Sequence, residues 1–168
     1  MEDNDLIGAL LKWVHVNLVI IFAIGIAEYI TYFYQAAKET EPRVIHEMVE
    51  AGDKIHNYLL KIGGSLLFIS GVVTAWRHGV PMLGFIQGGN VNWLLVSIVL
   101  FLTYLPIMFF VFVPRHKVFH KELDKAIEKG EVTEGLKKAF RSSGIKFGHI
   151  YESIYVFVIV FLMVVKPF

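Results

Sequence analysis

Seven histidines and no cysteine set the chemical options of this chain. Without thiols there are no disulfides, thiolate metal sites, Fe–S clusters or cysteine nucleophiles. Any metal or cofactor must be held by His, Met, carboxylate or backbone groups. Several ionisable residues interrupt long apolar runs, where each costs several kcal/mol unless paired and so marks a candidate site. They sort by depth into two clusters. The outer one holds His15, two turns into the first run, with Trp76, Arg77 and His78 at the end of the second. The inner one holds Glu28, His56, Lys61, His149 and Glu152.

Helical spacing refines these clusters. At about 100° per residue, His15, Phe22, Tyr29 and Phe33 share one face, and Asn17, Ile21, Glu28 and Gln35 another. His149, Glu152 and Ser153 lie at i, i+3 and i+4, so Glu152 is placed to orient the His149 ring as carboxylates orient ligating histidines. Histidines from two helices at equal depth are what a b-type haem requires, with a cation at the membrane edge for its propionates. The outer cluster offers His15 and His78 as ligands and Arg77 for a propionate. The inner cluster offers His56 and His149, with Lys61 or Lys146 for a propionate and Glu152 and Glu28 as supporting carboxylates. Two haems so placed would pass electrons across the membrane.

Each residue also has a plainer reading. His46, His116 and His120 sit in charged stretches and are expected to be solvated. His56 and His149 lie near the interface, where a histidine snorkels or caps a helix, and His78 reads equally as a loop residue. Glu28 with Lys61 reads as a structural ion pair between the first two helices. Gly63, Gly64 and Gly71 read as close-packing surface for a helix or a second copy, or as room for a flat macrocycle.

The elements that must position these groups follow from composition. Of 168 residues, 55% are hydrophobic and 18% charged, with a mean hydropathy of +0.57. That is oilier than a soluble domain. Four segments are long enough to cross a bilayer, at about residues 6–34, 54–77, 91–113 and 145–165. Pro106 is positioned to kink the third and Pro114 to end it. The loop over 77–92 is a glycine-rich turn containing Gly79, Gly84, Gly88 and Gly89.

The segments 35–53 and 114–144 are charged. Thr40-Glu41-Pro42 marks a helix start there. Three apolar stripes run along these segments: Val44, Ile45, Met48 and Val49; Phe119, Leu123, Ala126 and Ile127; and Leu136, Ala139 and Phe140. The fold class is all-α, a transmembrane four-helix bundle with short amphipathic cytoplasmic helices. All Lys and Arg except Lys12, Arg77 and Lys166 fall on the side of these two segments, which puts that side in the cytoplasm. Both termini are then outside, in a cell inner membrane. A net charge of +1 gives no reason to expect nucleic acid.

The opening Leu10-Leu11-Lys12-Trp13-Val14-His15, with Gly25 ten residues on, resembles the start of the copper-resistance-D-like (CopD-like) integral membrane proteins. Within that group the chain is most similar to a small prokaryotic family of four-helix membrane proteins. The segments Lys61-Ile62-Gly63-Gly64 and Ser70-Gly71-Val72-Val73-Thr74, the basic stretch after Pro114 and the ending Leu162–Pro167 fit that family, so the likeness spans nearly the whole chain. The superfamily includes the bacterial haem-binding protoporphyrinogen oxidase, whose first-helix histidine would correspond to His15. That enzyme also relies on a lysine in its third span. This chain has none there, the nearest basic residue being Arg115, so the resemblance implies haem binding more than oxidase activity. The copper-handling relatives imply Met and His ligands, and Met82 and Met163 fall on the outer side with His15.

The sequence reading is an integral membrane b-type haem protein that moves electrons, with a quinone or a partner redox subunit. The alternatives are an accessory subunit of a larger respiratory complex and a copper-handling membrane protein, against which the scarcity of Met in the spans weighs. Hydrolysis is unsupported: no nucleophile turn, phosphate loop or Glu-x-x-His pattern occurs within a span.

Overall fold

In hydrocarbon a lone chain segment can satisfy its N–H and C=O groups only as a helix, so four apolar runs dictate four long helices. The computed structural model describes residues 5–84 and 92–167, and the side chains of all of these but Leu60 and Met108. It is all-helical, with no strand among the described residues. Helix α1 is Leu6–Ala36, α2 Pro42–Arg77, α3 Trp93–Lys129, α4 Glu134–Phe140 and α5 Ser143–Val165. α1, α2, α3 and α5 are long and apolar enough to cross a membrane. α1 packs against the whole length of α2, and α5 against α1 and α3.

Local chemistry sets the ends. The Asp5 side chain accepts a hydrogen bond from the Gly8 N–H and caps α1. Pro42 opens α2 as the sequence suggests, and Thr133 caps α4 by accepting from the Leu136 N–H. Gly130, at φ +69°, ends α3 in the left-handed conformation that glycine adopts without a Cβ clash. Part of the expected glycine-rich turn, residues 85–91 with Gly88, Gly89 and the expected third-span start Val91, lies outside the described residues.

Two features depart from the sequence reading. α2 and α3, at 36 and 37 residues, run about 55 Å, well beyond an apolar bilayer core of about 30 Å. The charged parts of α2 and α3, expected as separate short helices, continue the spans without a break in the helix. Pro114 therefore does not end a helix. A π-helical turn over Met108–Phe112 resets the hydrogen-bond register just before it, so Pro114 sits in the first turn of the next α-helical stretch, where its missing N–H costs little. The Arg115 guanidinium donates to the Val111 carbonyl at 3.0 Å, supplying a donor at the same place. A second π-helical turn, His56–Ile62, lies where α2 passes from its charged part to its apolar part.

The main core is at the charged end. The three apolar stripes meet there: Ile45 and Val49 of α2, Phe119, Leu123 and Ala126 of α3, and Leu136 and Phe140 of α4 close on Phe33 and Ala36 of α1 and Ile145 of α5. Ile45, Leu123 and Leu136 are fully buried, each contributing about 1.5–3 kcal/mol of burial free energy. Within the spans a second, thinner core is centred on Phe22 and Ile26. Ile20, Ile24, Ile69, Val99, Leu102, Ile154 and Phe157 face outward, as side chains bathed in lipid do.

Candidate functional site

At the end that carries both termini, α1, α2, the turn after α2 and α5 converge on His15. Its Nδ1 lies 2.9 Å from the Ser70 hydroxyl, which itself donates to the Leu67 carbonyl at 2.9 Å. With the hydroxyl proton on the Leu67 carbonyl, Ser70 accepts from His15 Nδ1–H, and in that tautomer the Nε2 lone pair is available. The ring lies over Gly71, where a Cβ would come within 3.0 Å of His15 Cε1, so glycine makes the room. His15 lines a small apolar cavity of about 70 Å³ together with Met82, Met163, Phe22 and Leu67. A second cavity of about 350 Å³ shares His15 and Met163 and adds Lys12, His78, Trp93 and Lys166.

His78 donates from Nδ1 to the Thr74 carbonyl at 2.8 Å. Arg77, expected to meet a propionate, donates to Asp5 at 2.9 Å and ties the start of α1 to the end of α2.

The inner cluster is arranged differently from the expectation. His56 and His149 both pack on the Tyr29 ring, at centroid distances of 5.1 and 5.7 Å. His149 is only 3% exposed, boxed by Phe33, Tyr34 and Phe112 as well, and neither ring nitrogen has a hydrogen-bond partner among the described residues. Glu152 does not orient it. Fully buried, Glu152 turns toward α3 and accepts from the Tyr104 hydroxyl at 2.7 Å, its other oxygen unpartnered among the described residues. Glu28 and Lys61 are both exposed and form no ion pair with each other among the described residues, because Glu28 faces away from the bundle.

Three residues outside the expected sites come together. His116 and His120, expected to be solvated, converge on Asp53 of α2: His116 Nε2 is 2.8 Å from Asp53 Oδ1, and His120 Nε2 is 3.0 Å from Oδ2. Burial alone would raise the Asp53 carboxyl, yet hydrogen bonds from the two imidazoles hold it well below the usual carboxylate range. In return, the hydrogen bond to Asp53 raises His120 above its ordinary value. Asp53 and His116 also line a cavity of about 200 Å³ with Tyr29, His56, Lys61 and Lys117. The i, i+4 spacing of His116 and His120 was the signal available in the sequence; the approach of α2 was not.

No curated protein and no solved structure matches the chain. A family model does, over residues 9–167, nearly its whole length, and the four long apolar helices agree with its description. The chain belongs to the family described as predicted integral membrane protein (DUF2269).

Proposed function

We propose that this is a copper-handling membrane protein that holds a cuprous ion at the end bearing its termini, between His15, Met82 and Met163. One observation carries the reading: His15, held at Nδ1 by Ser70, lines an apolar cavity that both methionines also line. Thioether and neutral imidazole are the soft ligands that select Cu(I). A cavity of about 70 Å³ holds an ion and roughly two waters, at about 30 Å³ per water. The larger cavity that shares His15 and Met163 provides the way in. The resemblance of the first helix to CopD-like proteins supports the same chemistry. By the distribution of Lys and Arg this end faces away from the cytoplasm of an inner membrane, where copper is met first.

A second reading is the b-type haem, serving electron transfer with a quinone or a partner redox subunit. The larger cavity favours it, because His15 and His78 both line it. One experiment separates the two: metal content and absorption spectrum of the full chain, purified from cells replete in copper and haem. The expected result is one copper per chain, lost in His15→Ala and in Met163→Leu, with no Soret band. A Soret band abolished by His15→Ala establishes the haem reading instead. A protein with neither overturns both and leaves an accessory subunit of a larger complex.

A further inference from the structure

We infer that the charged end holds a separate site for a divalent transition cation of the zinc class, formed by Asp53 of α2 and by His116 and His120 of α3. It is independent of the copper reading, in residues and in ligand chemistry. The three donor groups are already gathered within 4.8 Å of one another. The two Nε2 atoms are 3.1 Å apart, that of His116 lying 2.8 Å from Asp53 Oδ1 and that of His120 3.0 Å from Oδ2. With metal–ligand bonds of about 2.0–2.1 Å, the edge of a tetrahedral site is roughly 3.3 Å, close to the separation of the two nitrogens, and a small turn of the carboxylate completes the third corner.

Protons satisfy this arrangement only with two donors crowded side by side. When each imidazole gives its Nε2–H to its own Asp53 oxygen, the two nitrogens stand 3.1 Å apart and neither serves the other. If one Nε2 is bare, one contact to the carboxylate sets lone pair against lone pair. A single cation gives all three groups a common partner and removes the conflict. Two imidazoles and one carboxylate suit zinc or a similar borderline ion, not the cuprous ion of the sulfur site.

Access is open, since the side chains of Asp53, His120 and His116 are 21%, 35% and 45% exposed on the part of α2 and α3 that overshoots the bilayer. Three protein ligands leave one position for water or an exchangeable ligand. The 200 Å³ cavity that Asp53 and His116 line provides a place for it, with Lys61 and Lys117 on its wall. The ion would also clamp α2 to α3 across 63 residues of sequence.

The test is titration of the chelator-stripped, detergent-purified full chain with Zn²⁺ by calorimetry, and with Co²⁺ by its visible absorption. One saturable equivalent is expected, retained in His15→Ala. His120→Gln and Asp53→Asn should each weaken it by more than about 100-fold, beyond the about 10–100-fold that loss of a supporting contact costs. Zn²⁺ should also raise the melting temperature of the wild type but not of His120→Gln, a readout that needs only the mild variant to fold. Zinc binding absent from the wild type, or equal in wild type, His120→Gln and Asp53→Asn, would overturn the inference and leave Asp53, His116 and His120 an ion-paired triad only.

Discussion

The charged end and the middle of the bundle solve the same packing problem in opposite solvents. At the charged end, apolar stripes on four helices and the start of α5 close on one another into a core of ten buried residues. In the spans, among the described residues, Phe22 and Ile26 alone form such a cluster, and large aliphatic side chains face outward. Water forces apolar faces together, whereas lipid is as apolar as leucine and leaves them no reason to hide. The consequence is a division of labour. The end outside the bilayer carries the buried core, and the spans hold the cavities beside His15.

The largest effect that would sharpen this contrast is Leu123→Ala or Leu136→Ala, both fully buried at the charged end. Each should cost about 2–5 kcal/mol of unfolding free energy by denaturant titration in detergent. Ile20→Ala, at a residue 51% exposed toward lipid, should cost well under about 1 kcal/mol. Equal costs would break the comparison.

A smaller effect distinguishes glycines that look alike in sequence. A Cβ at Gly148 would overlap the Phe112 ring, so Gly148→Ala should destabilise by about 1–3 kcal/mol. Nothing lies within 4 Å of a Cβ at Gly63, so Gly63→Ala should stabilise α2 by up to about 1 kcal/mol. Paired thermal melts check both signs.

The smallest effect is the pH response of the metal-free charged end. His120 is raised by its hydrogen bond to Asp53, so that contribution is complete below the ordinary histidine value and fades as pH rises through the raised one. Asp53 is lowered by the two imidazoles, so its contribution is present above the ordinary carboxylate value and is lost in stronger acid. Melting temperature should therefore peak in mild acid and fall by a few degrees on either side, and Asp53→Asn should flatten the profile.

Much of this was legible in the residues alone. Long uncharged runs announced the four spans, and the three stripes announced apolar faces, though not whether these would pack on a neighbouring helix or lie at the lipid surface. His15 stood out because an imidazole amid aliphatic residues is rare. The π-helical turns were not legible, and Pro114 pointed to a helix end that a register shift removes. The spacing of His149 and Glu152 suggested a contact, but Glu152 found Tyr104 on another helix.

Sequence by itself determined the class of solvent around each segment and the helices that follow, because hydropathy and periodicity act over neighbouring residues. Only the tertiary structure decided which polar groups meet: Ser70 on His15, and Asp53 between His116 and His120. Those meetings depend on how helices rotate and slide against one another, which is set by packing summed over the whole bundle and is written in no single stretch of chain.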